Sequence, residues 1–141
     1  VAQLGIPSAV ISRSFQDLAT QYGRTDVLAN LIQQEAPFVN RNASVVTVFT
    51  GANDVNVITS ALGKGAGSGN PTAFIDQMLN NFASDYTTLL ADIRGRASST
   101  KIIVLNVPNL AGLPYMASAT LAQKQAAQRA AVRMTTSMNN V

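Results

Sequence analysis

The sequence predicts an α/β layer fold, and three observations carry that prediction. Two short runs are rich in β-branched residues, one long segment draws an apolar stripe at helical spacing, and such segments alternate along the chain. The first run, residues 44–50 (SVVTVFT), is nearly continuous in hydrophobicity, as expected of a strand buried on both faces. The second, residues 101–107 (KIIVLNV), reads the same way and stops at Pro108, which cannot continue a central strand. Residues 1–4 read as the tail of a further strand.

The helices fall between these runs. Residues 17–22 form a short helical candidate. Thr25 or Asp26 is placed to cap a helix running to about Ala36, ahead of Pro37. The clearest helix starts near Pro71, a residue tolerated in a first turn. Its Ile75, Leu79, Phe82, Tyr86, Leu89, Leu90 and Ile93 recur at three- and four-residue steps and predict one buried face. Gly95 and the Ser98-Ser99-Thr100 cluster end it. A last helix is expected over residues 118–139, packing through Ala122, Ala126, Ala130 and Met134. The glycine-rich residues 63–69 (GKGAGSG) lack both a strand leading into them and the Lys-Ser/Thr ending of a phosphate-binding loop. They read as a flexible surface loop.

Composition narrows the function classes. A chain of 141 residues, 47% hydrophobic and 12% charged, is long enough and apolar enough to bury one core. The net charge of +3 comes from ten basic residues scattered between Arg13 and Arg133, with no run or stripe to track phosphates, so no nucleic-acid partner is expected. With no cysteine and no histidine, disulfides and thiolate or imidazole metal sites are excluded, and no metal or organic cofactor is implied. The apolar runs are too short for a membrane span. Low charge with abundant Ser, Thr, Asn and Ala points to an exported, bacterial-like protein, secreted or periplasmic. The chain opens on Val1 without a leader pattern, and the expected reading is a piece of something longer.

The chemistry concentrates in Gly51-Ala52-Asn53-Asp54, directly after the first strand. In open α/β sheets ligands bind beyond the carboxyl ends of strands. Gly51 permits a sharp exit from the strand. Asn53 offers an uncharged NH2 with two donors, a group suited to an oxyanion that develops only in a transition state. Asp54 can accept from backbone N–H groups and hold the turn. Taken alone, the tetrapeptide is also simply a good turn.

The surrounding residues add a family resemblance. VTVFTGANDVN resembles the third conserved block of the SGNH, or GDSL-type, serine hydrolases, a strand followed by Gly-x-Asn-Asp. Upstream, residues 4–9 (LGIPSA) resemble the family's second block, and residues 102–114 (IIVLNVPNLAGLP) resemble its fourth strand and following loop. The resemblance implies a flavodoxin-like three-layer α/β/α sandwich with a parallel sheet, of which residues 1–141 are the central portion of a single domain. It implies hydrolysis of acyl or acetyl esters: a serine attacks, a histidine relays its proton, and an oxyanion hole holds the tetrahedral intermediate. Asn53 matches the family's oxyanion asparagine, with Gly51 shaping its turn. Ser8 stands where the family has its oxyanion glycine, a departure that leaves the backbone N–H available but adds a Cβ. Asn109, Leu110 and Leu113 fall where a substrate wall is expected, with Tyr115 and Met116 beside them. The substrate is then a small-molecule, lipid or sugar ester.

Two family blocks are missing. No Gly-Asp-Ser occurs in the chain, and no histidine for an Asp-x-x-His block. The nucleophile and base are therefore expected in flanking segments of the same protein, and this chain alone is expected to be inactive. The family's first strand lies between its second and third, so its absence exposes unpaired strand edges, and residues 1–141 are not expected to fold stably alone. The alternative is a non-catalytic binding module on the same scaffold. A flavodoxin or receiver domain is disfavoured, because neither a phosphate loop nor a cluster of strand-end acids is present.

Overall fold

Two parallel strands organise the chain. In the computed structural model, which describes residues 27–140, β1 (Val45–Phe49) pairs with β2 (Lys101–Leu105) in a register running from Val45 opposite Lys101 to Phe49 opposite Leu105. Parallel neighbours need a long crossover. It is made by α1 (Ala52–Gly63) and α2 (Pro71–Arg96), and α3 (Leu121–Asn139) follows β2. Ahead of β1 the chain winds as a wide π-helical segment, Val27–Glu35, tightening into one 3-10 turn at Ala36–Phe38. The expected strand over residues 1–4, the expected helix over 17–22, the expected caps Thr25 and Asp26, and Ser8 all lie outside the described residues.

The predicted stripe of α2 is its buried face: Ile75, Leu79, Phe82, Tyr86, Leu89 and Ile93 are all buried. Asn70 caps this helix, accepting from the Ala73 N–H at 3.0 Å, with Pro71 at the first helical position. The last helix starts at Leu121, three residues inside its expected start of 118, because Thr120 and Gln123 form a reciprocal capping box. Its buried face includes the expected Ala130 and Met134, with Ala126 packed against the core. Ala127, Ala130, Ala131, Met134 and Met138 are buried, whereas Ala122 is exposed.

One helix departs from the sequence-based expectation. α1 buries Asp54, Val55, Ile58 and Thr59 along one side, although its β-branched residues argue locally against a helix. The glycine-rich segment after it forms a run of turns in which Gly67 takes φ +68° and lies so close to Phe74 that a Cβ would come within 2.7 Å of the Phe74 Cβ.

The helices cover one face of the sheet. Val48 is buried there, and Val46, Ile102 and Val104 pack against the core. On the opposite face Val45, Phe49, Ile103 and Leu105 are 49%, 62%, 51% and 43% exposed. The expectation of strands buried on both faces is thus met on one face, since no second helical layer occurs among the described residues. The architecture is mixed α/β with a small parallel sheet.

Candidate functional site

The turn at Gly51 is dictated by packing. Gly51 sits at φ +103°, a left-handed conformation that side chains rarely adopt. A Cβ on it would come within 2.5 Å of Val107 Cγ2, 3.5 Å of Phe82 Cζ and 3.6 Å of Met134 Sδ. The backbone leaving β1 is therefore pressed against the exit of β2 and against both α2 and α3. Its carbonyl accepts the Val55 N–H at 3.0 Å, so α1 begins with no intervening loop.

That start fixes the orientation of α1. Val55 is fully buried and Asp54 is 2% exposed, so the helix is anchored by its third and fourth residues. The Asp54 carboxylate lies in the first turn, where the helix dipole favours negative charge. Asn53, one position earlier, is left half-buried at the rim. Among the described residues no hydrogen bond ties its side-chain amide. An uncharged NH2 on the first turn of a helix, just beyond the carboxyl end of a parallel strand, stands where open sheets build their sites and can donate two hydrogen bonds.

The segment after β2 leaves the sheet at the same end as α1 begins. Asn109 is exposed, and its side chain accepts from the Ala111 N–H at 3.2 Å, which starts the turn Leu110–Gly112. A second turn, Pro114–Met116, comes directly after it. Leu110 and Met116 are buried, at 3% and 7% exposure, and pin the two ends of this loop into the core. Leu113 and Tyr115, between them, are 38% and 53% exposed. Of the three expected pocket residues, Leu113 therefore presents its side chain at the surface, Leu110 anchors the loop and Asn109 shapes it.

A hydrogen bond joins this segment to α1. The Tyr115 hydroxyl donates to Asn56 Oδ1 at 2.8 Å. Asn56 stands three residues beyond Asn53, hence next to it on the helix surface. Desolvation raises the Tyr115 pKa, so the hydroxyl remains a donor well above neutral pH. Asn56 is not among the residues expected from sequence. Its spacing from Asn53 is the signal that could have found it.

Ser8 lies outside the described residues. Among the described residues no group of three His, Cys, Asp or Glu side chains comes together that could hold a metal ion, and no helix is long and apolar enough to cross a membrane. Compared with protein-family models, curated proteins and solved structures, the chain matches none.

Proposed function

We propose that this chain is the central portion of an SGNH-type serine ester hydrolase and supplies its oxyanion hole. The observation that carries the reading is Asn53: an uncharged amide, untied among the described residues, on the first turn of α1 directly beyond β1. In the proposed reaction a serine from a flanking segment attacks the carbonyl carbon of an acyl or acetyl ester. The carbonyl oxygen becomes an oxyanion, and the Asn53 NH2 donates to it together with backbone N–H groups, that of Ser8 among them. A histidine from a flanking segment takes the serine proton and returns it to the leaving alcohol. Water, deprotonated by the same histidine, then attacks the acyl-serine, releasing the acid and restoring the serine hydroxyl. The acyl group rests against the loop carrying Leu113. No cofactor takes part. The protein acts outside the cytoplasm, in keeping with its low charge.

The open sheet supports the same reading. Val45, Phe49, Ile103 and Leu105 form an exposed apolar face that a second helical layer would cover, giving the three-layer sandwich of the family. The nucleophile and base would arrive with the segments that supply it.

The test uses the protein with its flanking segments. A fluorophosphonate, which reacts with activated serines, should label it, and p-nitrophenyl acetate should be hydrolysed. Asn53→Ala should lower kcat by about 10²–10³ while the protein stays folded. A loss of only a few-fold would count against the oxyanion role. Neither labelling nor hydrolysis in the unaltered protein would leave the non-catalytic binding module as the reading.

A further inference from the structure

The loop over residues 110–116 is held at its ends by Leu110 and Met116, yet its apex is exposed. Its backbone hydrogen bonds are local: the Leu113 N–H donates to the Leu110 carbonyl at 3.1 Å and the Met116 N–H to the Leu113 carbonyl at 2.9 Å. A hydrogen bond from Tyr115 to Asn56, between residues 59 apart in sequence, ties the apex to α1. We infer that Tyr115 and Asn56 form a clasp that fixes this loop against α1 and so sets the width of the mouth beside Asn53. The inference rests on the reading of Asn53 as the oxyanion donor.

The clasp suits that position for three reasons. It is neutral on both sides, so it places no charge beside the developing oxyanion. It joins the segments following both parallel strands, which is where an open sheet builds its sites. And it holds the exposed Leu113 side chain and the Tyr115 ring in one place, as an apolar rest for an acyl chain longer than acetyl. Tyr115 is then a positioning residue: it acts through the loop, and through Asn56, on the substrate's acyl part.

Tyr115→Phe keeps the ring and removes the donor. In the protein with its flanking segments, amide hydrogen exchange at Leu113 and Met116 should quicken about tenfold, as expected when one hydrogen bond is lost. KM for p-nitrophenyl butyrate should rise about five- to tenfold while kcat changes less than about twofold, since the loss falls on binding. Asn56→Ala should do the same, and the double variant should be no worse than either alone. Additive effects, or exchange unchanged by Tyr115→Phe, would overturn the clasp. Quickened exchange with an unchanged KM would overturn its positioning role. If the unaltered protein hydrolyses neither the acetate nor the butyrate ester, the hydrolase reading falls, while exchange and the double variant still decide the clasp.

Discussion

Gly51 lies against Val107 so closely that a methyl group added to Gly51 would come within 2.5 Å of Val107 Cγ2. The exits of the two parallel strands are thereby locked together at the point where α1, and with it Asn53, begins.

Gly51→Ala should therefore act twice, through the clash and through φ +103°. Overpacking and the left-handed backbone together should cost about 2–4 kcal/mol in a urea unfolding titration of the protein with its flanking segments, in which the stability changes below are also read. Val107→Ala removes the clash but not the backbone strain, so the double variant should lose less than the sum of the two single losses. Strict additivity would show that the two residues do not press on one another.

Tyr86 carries a hydroxyl with no hydrogen-bond partner among the described residues, in a side chain that is fully buried and stacked on Phe82 at a centroid distance of 5.6 Å. Tyr86→Phe deletes an unsatisfied polar atom at almost no change in shape, and should stabilise the protein by about 1 kcal/mol. Burial also pushes the Tyr86 pKa up to about 12 from 10.0. The folded state then keeps this proton while the unfolded chain releases it. Stability should fall as the pH rises from 10.0 towards about 12, and more steeply in the parent than in Tyr86→Phe. The advantage of Tyr86→Phe, measured by thermal unfolding, should accordingly widen with pH. A difference that stays constant from neutral pH to about pH 11 would contradict the buried ionisation.

Arg94 closes the turn that feeds β2: one nitrogen of its guanidinium donates to the Ser98 carbonyl at 3.0 Å and to the Thr100 carbonyl at 2.6 Å. Arg94→Ala should cost about 1–2 kcal/mol, as charge-assisted bonds to a part-buried carbonyl are lost. Arg94→Lys should recover only part of this, because an ammonium lacks the planar fork. Full recovery in Lys, read from the urea midpoint, would mean that charge alone holds the turn.

The sequence is most legible where pattern and packing agree. The α2 stripe, and strands expected over 44–50 and 101–107, meet the structure to within a residue or two at most ends, because β-branched runs and a 3.6-residue repeat each report burial directly. α1 is illegible for the opposite reason. Val55, Val57, Ile58 and Thr59 favour strands locally, and only burial of Val55, Ile58 and Thr59 on one side makes a helix of them. Thr59 even turns its hydroxyl back to the Val55 carbonyl at 2.9 Å, satisfying inside the helix a group that otherwise competes with it. At the site, Gly51 and Asn53 can be read from their place after a strand. The Asn56–Tyr115 contact cannot, since it exists only once β1 and β2 are side by side in register.

The outer sheet face supplies the last prediction. Phe49 is 62% exposed and stands opposite Leu105, itself 43% exposed, so a large apolar pair meets solvent on a parallel sheet, where faces are normally covered. A residue that remains at the surface tolerates truncation to within about 0.5 kcal/mol. A phenylalanine in a covered core loses about 3–5 kcal/mol on becoming alanine. If flanking segments complete the sandwich, Phe49→Ala in the protein that contains them should show the larger loss, and residues 1–141 alone should lack a cooperative unfolding transition. A neutral Phe49→Ala in the longer protein, or sharp two-state unfolding of residues 1–141 by themselves, would mean that this face is a surface in its own right and that no second layer is needed to hold Asn53 in place.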